Sequence, residues 1–249
     1  MRGWRSRRSK EGWIEGARRG AALKAVGHIK DGSVVGLGSG STVVHAVEAL
    51  GNRIQAEGLE VSCIPTSLQI QMLASEHRIP IATPYEHPTI DLAIDGADQI
   101  DRGQLNLIKG GGGALTLEKI VDTMARDVVI IADETKLTDR LGEGQPLPIE
   151  VLPFALPFVL RRVEGLGGSG KVRKGSGKVG PVITDNGNVI VDADFGFIDD
   201  PLGLEVKLNL IPGVVENGLF LRMATLAYVG TRSGVITIKS QKHKEAQSY

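Results

Sequence analysis

The residue types most able to do chemistry surround a run of four glycines at positions 110–113. Lys109 directly precedes the run, so its ammonium would lie beside backbone amides that no side chain covers, an arrangement that stabilises an anionic oxygen. A flexible linker would also be rich in glycine, but this run lies between a strand-like segment, 105–108, and a helical pattern, where no linker is needed. Glu118 follows Lys109 by nine residues. On that helix it is either a catalytic carboxylate or an ordinary solvated glutamate.

Two carboxylates surround a glycine in the segment Asp95-Gly96-Ala97-Asp98, which directly follows an apolar run at 90–94. Ligands of open α/β sheets bind outside the carboxyl ends of the strands. A pair of carboxylates at this position therefore favours contacts to a ligand, whereas a helix cap or an acidic turn is the simpler structural explanation.

A third loop, Gly36-Leu-Gly-Ser-Gly-Ser-Thr42, joins a predicted strand to a predicted helix. Free backbone amides at the start of a helix bind anions, and Ser39, Ser41 and Thr42 would add hydroxyl groups. The dinucleotide-binding spacing fails because Ser41 stands where a third glycine is needed, and no P-loop Gly-Lys-Ser/Thr follows. The loop predicts a site for a small phosphorylated ligand, with a plain tight turn as the alternative.

Lys136 follows an apolar strand at 127–132 and could reach the same sheet edge, although a surface lysine is the simpler interpretation. Together the strand ends would supply hydroxyls, amides, two carboxylates and two lysines, a set that suits a small phosphorylated polyol. A carboxylate beside a lysine, with no metal or cofactor motif, favours proton transfer next to a carbonyl.

Alternating apolar runs and helical patterns would position these groups. The sequence predicts strands at 33–37, 61–64, 90–94 and 127–132, and helices at 41–50, at 67–76 and from the glycine run to about residue 126. This alternation predicts a parallel sheet covered by helices on both faces and joined by right-handed crossovers.

The pattern changes near Gly142, beyond which prolines and glycines interrupt the chain. The sequence predicts a helix at 155–166, a loop at 167–170, short strands near 182–183 and 189–191 around a turn at 185–188, and a helix at 201–210. This block is typical of a small α+β domain, and the strand-like tail at 219–239 would rejoin the first sheet. We therefore expect a catalytic domain of residues 1–142 and 216–249 and a small domain of residues 143–215.

Composition excludes several classes of protein. The 249 residues are 41% apolar and 23% charged, as in ordinary globular chains. The 29 basic residues balance the 29 acidic ones and aromatic residues make up only 4%, so nothing favours a nucleic acid or a membrane as partner. With Cys63 as the single cysteine and five histidines outside metal-binding spacings, we expect no disulfide, no metal site and a cytoplasmic location.

The first ten residues carry five positive charges, and no apolar segment of the kind found in signal peptides follows them. A transit peptide, a basic arm and a misassigned start are the interpretations left open.

The motifs together resemble the type A ribose-5-phosphate isomerase family. The resemblance runs from about residue 24 to residue 239 and keeps the family's order and nearly its spacing. It rests on Gly38-Ser-Gly-Ser-Thr42, Asp95-Gly-Ala-Asp98, Lys109-Gly-Gly-Gly112, Glu118-Lys119, Ala132-Asp133 with Lys136, Pro181-Val-Ile-Thr-Asp-Asn-Gly-Asn188 and Ile211-Pro-Gly-Val-Val-Glu-Asn-Gly-Leu-Phe220. Ser39 stands where many members have threonine, a change that keeps the hydroxyl.

The resemblance implies a Rossmann-like parallel sheet covered by helices, with a smaller ferredoxin-like α+β domain at the contacts of a homodimer or homotetramer. It implies the interconversion of D-ribose 5-phosphate and D-ribulose 5-phosphate through an enediolate, in the non-oxidative pentose phosphate pathway. No cofactor and no metal are implied, and the partner would be a small phosphorylated sugar.

Individual roles follow from the same resemblance. Glu118 would be the base that moves a proton between C1 and C2, and Lys109 would stabilise the enediolate oxygen. Asp95 and Asp98 would contact sugar hydroxyls and assist ring opening. The implied substrate-binding set is Ser39, Gly40, Ser41, Thr42, Asp95, Gly96, Ala97, Asp98, Lys109, Gly110, Gly111, Gly112 and Lys136.

Two other functions remain as alternatives. One is another sugar-phosphate enzyme on a related fold, such as an amino-sugar phosphate deaminase or a lactonase, although no catalytic histidine motif supports a deaminase. The other is a regulatory domain that senses a sugar phosphate. Such a domain would need the phosphate loop but not Glu118 together with Lys109, so their joint presence favours the enzyme.

Overall fold

The computed structural model describes residues 2–177 and 179–240, and it describes side chains from residue 12 onwards. The basic side chains of the first ten residues lie outside that part, so their interpretation stays a prediction. The helices are α1 (Arg2–Val26), α2 (Ser41–Glu57), α3 (Leu68–Glu76), α4 (Leu115–Met124), α5 (Leu156–Gly165) and α6 (Pro201–Asn209). Short 3-10 turns span Glu134–Lys136 and Pro153–Ala155.

Fourteen strands form three sheets in the described residues. The strands are β1 (Val34–Leu37), β2 (Ser62–Pro65), β3 (Ile90–Asp95), β4 (Gln99–Asp101), β5 (Leu107–Ile108), β6 (Ala125–Asp133), β7 (Leu137–Thr138), β8 (Leu147–Val151), β9 (Ser169–Val172), β10 (Val189–Asp194), β11 (Val214–Asn217), β12 (Leu219–Phe220), β13 (Leu226–Thr231) and β14 (Gly234–Lys239).

The largest sheet has six strands in the order β14-β13-β6-β3-β1-β2. Its first five strands along the chain pair in parallel, and only β14 runs antiparallel, against β13. The predicted parallel sheet is confirmed, and so is the return of the tail, because β13 pairs with β6. The strand order reverses between β1 and β3, and open α/β sheets bind ligands at the carboxyl ends on either side of such a reversal.

Helices bury both faces of this sheet, which explains why its strands are continuous apolar runs. Leu92 and Ile94 of β3 pack in one core with α1, α2 and α3. The alternate residue, Ala93, points to the opposite face, where Leu115 of α4 packs. Helix α1 was not predicted, because its buried face is made largely of alanines, which give only a weak apolar pattern.

The glycine run forms a turn rather than the first turn of a helix. Gly110 and Gly113 have φ values of 101° and 81°, a left-handed conformation that glycine adopts at little cost. Helix α4 therefore begins at Leu115 and ends at Met124, before the predicted residue 126. Leu105 also has a positive φ of 56°, which limits the predicted strand at 105–108 to Leu107–Ile108.

The second sheet has the order β11-β8-β10-β9, and all its neighbouring strands are antiparallel. With α5 after β8 and α6 after β10, the chain forms the β-α-β-β-α-β pattern of ferredoxin-like units. The predicted ferredoxin-like fold is confirmed. The boundaries of the two domains stay a prediction.

One strand of this unit was not predicted and two local predictions were wrong. Strand β8 contains Pro148, which offers no amide, but the Pro148 carbonyl accepts a hydrogen bond from the Gly218 amide at 2.8 Å. Of the predicted loop at 167–170, Ser169 and Gly170 belong to β9. The predicted strand at 182–183 contributes only isolated bridges, including Ile183 to Val189.

The third sheet is small, in the order β12-β5-β4-β7. Its strand β5 ends at Ile108, directly before Lys109. Among the described residues, none of the helices combines the length and apolar character that crossing a membrane would need.

Candidate active site

A cleft at the carboxyl ends of β1 and β3 brings the predicted residues together. Its lining comprises Arg18, Ser39, Gly40, Ser41, Thr42, Gly96, Ala97, Asp98, Lys109, Gly110, Gly111, Gly112, Glu118 and Lys136. Asp95 is the one predicted residue outside this lining, since it lies fully buried directly beneath. A larger cavity of about 490 Å³ lies at the opposite edge of the sheet, at the amino ends of its strands near His28 and Arg126, and contains none of the predicted residues.

We call the buried part of the site the cleft floor: Asp95, Lys109, Glu118 and Asp122. The Lys109 ammonium lies 2.9 Å from Asp95 Oδ2 and 3.3 Å from Glu118 Oε2. It also donates a hydrogen bond to the Gly96 carbonyl at 2.7 Å. The exposed fraction is only 2% for Lys109 and 4% for Glu118. One buried cation is thus shared between two carboxylates.

Burial changes the proton affinity of the whole cleft floor. Burial, with help from the nearby Asp95, raises the pKa of Glu118 to about 8, although Lys109 opposes the change. Burial also raises the pKa of Asp95, again against the pull of Lys109. Burial would lower the pKa of Lys109, but Asp95, Glu118 and Asp122 together raise it above its ordinary value. Lys109 is therefore charged, and a Glu118 carboxyl with a pKa near neutrality can both take and return a proton.

Asp122 is a member of the cleft floor that the sequence analysis missed. It lies one helical turn beyond Glu118 on α4 and is buried, and neither of its carboxylate oxygens has a hydrogen-bond partner. Burial, reinforced by Asp95 and Glu118, raises its pKa well above the ordinary value. The periodicity of α4 could have revealed it, since residues four apart share one helix face.

Asp98 supports the glycine turn. Its Oδ2 accepts a hydrogen bond from the Gly111 amide at 2.7 Å, and its own amide donates to the Ile108 carbonyl at 2.9 Å. Asp98 is half-buried. Its carboxylate therefore faces the cleft while holding the turn beside Lys109.

The loop after β1 passes so close to Asp95 that a Cβ at Gly38 would overlap the Asp95 carboxylate. That carboxylate accepts hydrogen bonds from the Gly96 amide at 2.6 Å and from the Ser39 amide at 3.3 Å. The Ser39 hydroxyl contacts Thr66 and Ser67 instead of pointing freely into the cleft. Asp95 thus ties the loop to the cleft floor.

We call the cationic part of the site the cleft rim: Arg18, Ser41, Thr42 and Lys136. Helix α2 begins at Ser41, so its first amides point toward the cleft. Lys136, on the 3-10 turn after β6, is half-buried and forms no ion pair with a described residue. Hydroxyls, amides and cations therefore surround one position suited to an anion.

Arg18 was missed by the sequence analysis. It reaches the rim from α1, where its Nε lies 2.9 Å from Asp133 Oδ2 and its Nη1 donates to the Ser41 hydroxyl at 3.2 Å. Burial would raise the pKa of Asp133, but hydrogen bonds from Thr135 and Arg18 hold it below its ordinary value. Arg18 stands 115 positions from Asp133 in the chain, so no local motif signals the contact.

Among the described residues, no group of three or more histidine, cysteine, aspartate or glutamate side chains is placed to hold a metal ion.

Comparisons with known proteins identify the family. Residues 62–234 match the family model described as ribose 5-phosphate isomerase A (phosphoriboisomerase A). The ribose-5-phosphate isomerase A of Methanothermobacter thermautotrophicus is 53% identical over 215 residues, which cover 86% of this chain and 94% of that protein.

Solved structures agree with the sequence comparison. The ribose 5-phosphate isomerase A of Methanocaldococcus jannaschii has a TM-score of 0.88 at 48% identity, covering 91% of this chain and 99% of the other. A D-ribose-5-phosphate isomerase in complex with phospho-erythronic acid has a TM-score of 0.88 at 44% identity, with the same coverage. The family expected from the motifs is confirmed: this chain belongs to the ribose-5-phosphate isomerase A family.

Proposed function

We propose that this chain interconverts D-ribose 5-phosphate and D-ribulose 5-phosphate through an enediolate. The observation that carries the proposal is the cleft floor, where Glu118, with a pKa near 8, lies 3.3 Å from the Lys109 ammonium, beneath a rim suited to an anion. The names of the relatives support the same reaction, and the complex of one relative with phospho-erythronic acid supports a phosphorylated, sugar-derived ligand.

The cleft rim binds the phosphate. Arg18 and Lys136 supply positive charge, the hydroxyls of Ser41 and Thr42 supply hydrogen bonds, and the first amides of α2 supply the favourable end of the helix dipole. Binding the phosphate at the rim directs the other end of the sugar toward Lys109 and Glu118.

Ring opening involves the two aspartates differently. Asp98 is half-buried and lines the cleft, so its carboxylate contacts the sugar hydroxyls. Asp95 is fully buried and bound to Lys109 and two amides, so it acts by holding the loop and the ammonium in place.

Proton transfer then uses Glu118. Its carboxylate removes the proton from C2 of the open-chain aldose, and the electron pair of that bond forms the C1–C2 double bond while the carbonyl electrons move to O1. Lys109 stabilises the negative charge on the resulting enediolate. The hydroxyl proton moves from O2 to O1, Glu118 returns its proton to C1, and the ketose is formed. One base suffices for both transfers.

The proposal includes a homo-oligomer built on the small domain. Its surface carries exposed apolar side chains, among them Phe154, Phe158 and Val215, and along α6 Leu202 and Val206. A second copy would remove this surface from water. Sedimentation analysis of the wild type and of Phe154→Glu tests the idea; a wild type that is monomeric at working concentrations would contradict it. A cytoplasmic location is also part of the proposal, and fractionation of the source cells tests it.

An assay of the purified protein tests the reaction itself. Ribulose 5-phosphate formation from ribose 5-phosphate is followed by NMR in ²H₂O, which also reports solvent exchange at the carbon that receives the proton. Turnover with partial deuterium incorporation at C1 is expected. Absence of turnover by a protein that binds inorganic phosphate would favour the sensing domain, and ammonia release from an amino-sugar phosphate would favour the deaminase.

A further inference from the structure

Arg173 connects the second sheet to the glycine turn of the active site. It directly follows β9, and its backbone amide continues the sheet by donating to the Ile190 carbonyl at 2.9 Å. Its side chain is 16% exposed and extends toward the turn. There Nη1 donates hydrogen bonds to the carbonyls of Gly110 at 2.8 Å and Gly111 at 2.9 Å.

Asp192 fixes the orientation of this guanidinium. Nε of Arg173 donates to Asp192 Oδ2 at 2.9 Å, while Nη2 contacts Oδ1 of the same carboxylate. Asp192 lies on β10, the strand that pairs with β9. A two-point contact of this kind holds the planar guanidinium in one orientation, so that Nη1 remains directed at the turn.

Peptide geometry converts those two contacts into a direction for the amides. In a trans peptide the carbonyl of one residue and the amide of the next point to opposite sides. Because Arg173 holds the carbonyls of Gly110 and Gly111, the amides of Gly111 and Gly112 must point away from Arg173.

The turn agrees with this geometry. The Gly111 amide points to Asp98, whose carboxylate accepts its hydrogen bond at 2.7 Å. Gly112 lines the cleft, and its amide forms no hydrogen bond within the described part of the chain. The next amide, of Gly113, turns back to the Gly110 carbonyl at 2.9 Å. The Gly112 amide is thus an unoccupied donor at the edge of the cleft.

A run of four glycines would not keep such a donor in place by itself, because glycine has wide backbone freedom. Neighbouring contacts fix only the ends of the run: Lys109 donates its amide to the Gly218 carbonyl at 2.9 Å, and α4 begins at Leu115. Between these ends, Arg173 and Asp98 hold opposite sides of the same peptides.

We propose that Arg173 is a positioning residue for the isomerisation: it holds the Gly110 and Gly111 carbonyls so that the Gly112 amide meets the oxygen on which the enediolate charge develops. The inference rests on the proposed function, but Arg173 itself does not touch the substrate. The second sheet thereby contributes to catalysis through Arg173 and Asp192.

The test compares Arg173→Ala, Arg173→Lys and Asp192→Asn with wild type. Arg140→Ala is the matched control, because Arg140 also pairs with an aspartate, Asp199, but does not line the cleft. Loss of one donor to a developing oxyanion lowers rates by about 10²–10³-fold, so Arg173→Ala should lower kcat by about that factor. KM and the affinity for inorganic phosphate should stay within about twofold, because uniform binding at the rim is untouched.

Two further readouts separate positioning from a merely structural role. Affinity for phospho-erythronic acid, whose carboxylate carries negative charge, should fall in Arg173→Ala while phosphate affinity does not. Guanidinium ion, well below denaturing concentrations, should restore part of the lost kcat to Arg173→Ala but none to Arg140→Ala. Arg173→Lys and Asp192→Asn should be intermediate, since each keeps charge or shape but loses part of the two-point contact.

Some outcomes overturn the inference alone. These are a kcat for Arg173→Ala within about twofold of wild type, or a parallel loss of kcat, phosphate affinity and thermal stability in all three variants without rescue. If the wild type does not isomerise ribose 5-phosphate at all, the proposed function fails instead. Amide hydrogen exchange at residues 110–113 then still decides the positioning claim, because unchanged exchange in Arg173→Ala would contradict it.

Discussion

The cleft floor and the cleft rim each contain a lysine, but they use it in opposite ways. Lys109 in the floor is 2% exposed and bound by three protein oxygens. Lys136 in the rim is half-buried and has no carboxylate partner among the described residues. The charge of Lys109 is thus already engaged before substrate arrives, whereas the charge of Lys136 is available to bind an anion. A lysine can therefore serve either chemistry or binding, depending on the groups around it.

The largest effect is expected for Glu118→Gln, which removes the base while keeping the shape of the floor. We expect kcat to fall by about 10²–10⁴-fold, the usual contribution of general acid–base catalysis, or by more. Thermal unfolding should show that the fold is retained. Glu164→Gln, at an exposed position on α5, is the matched control and should leave kcat unchanged. Near wild-type activity of Glu118→Gln would mean that another group moves the proton.

The contrast between the floor and the rim is tested most directly by removing each lysine in turn. Lys109→Ala should chiefly lower kcat, by about 10²–10³-fold, because the enediolate charge develops only during reaction. It should also lower stability, because two buried carboxylates lose their cation. Lys136→Ala should chiefly raise KM, by about tenfold, as loss of a contact equally strong in both states does.

Direct measurement of substrate affinity must accompany these kinetics, because KM equals a dissociation constant only when chemistry is slow. The reverse pattern, a KM effect at Lys109 and a kcat effect at Lys136, would show that the phosphate anchor and the enediolate stabiliser have been exchanged.

Part of the active site was predictable from the sequence. Asp95 and Asp98 lie at the end of β3 and Lys136 lies after β6, and the carboxyl ends of parallel strands meet at one edge, so local patterns suffice to place these three together. Lys109 follows β5, which pairs antiparallel in the third sheet, so this rule does not place it. The sequence could not reveal that Lys109 is buried between carboxylates, because burial depends on how α4 packs on β3.

Contacts between distant parts of the chain were not predictable in the same way. Arg18 reaches the rim from a helix whose alanines carry little pattern. Arg173 reaches the glycine turn from the end of β9, a strand that was not predicted and whose first two residues fall in the predicted loop at 167–170. Both arginines act through tertiary contacts across 60 or more positions, as the separations of 115 and 63 residues record. Periodicity reports only neighbours a few residues apart.

The pH dependence of kcat/KM should report the ionisation of Glu118 in the floor rather than of any group in the rim. Glu118 must be ionised to accept a proton, and its pKa is raised to about 8. We therefore expect kcat/KM to rise about tenfold per pH unit below that value and to level off above it. Because Asp95 raises this pKa and Lys109 lowers it, Asp95→Asn should move the rising limb to lower pH and Lys109→Met to higher pH. An unchanged limb in both variants would assign the profile to another group.

A smaller effect, on stability, is expected at Asp122. Its buried carboxyl has no hydrogen-bond partner, so Asp122→Ala should raise the free energy of unfolding by about 1–2 kcal/mol. The folded-state pKa lies above the ordinary 3.8, so the folded protein holds this proton more strongly than the unfolded chain does. Wild-type stability is therefore lost as pH rises from about 3.8 through the folded-state pKa, and the advantage of the variant should grow over that range.

Denaturant unfolding at several pH values checks this, with Glu76→Ala on α3 as the control for helix propensity at an exposed position. A stability difference that stays constant or shrinks with rising pH would show that Asp122 is not protonated in the folded protein.

The smallest expected effect is that of a chelator, and it tests what the carboxylates of the floor do. Carboxylate oxygens are the ligands that Mg²⁺ and Ca²⁺ prefer, so the floor and Asp98 are where a divalent ion would bind if the reaction needed one. Two of these carboxylates are already engaged: Asp95 holds Lys109 and two amides, and Asp98 holds the Gly111 amide. The ammonium of Lys109 occupies the position between Asp95 and Glu118 that a cation would take. Activity should therefore survive exhaustive dialysis against EDTA within experimental error. A loss of activity that one divalent ion restores would mean that these aspartates bind a metal in the working enzyme, and that the charge on the enediolate is stabilised by that metal rather than by Lys109.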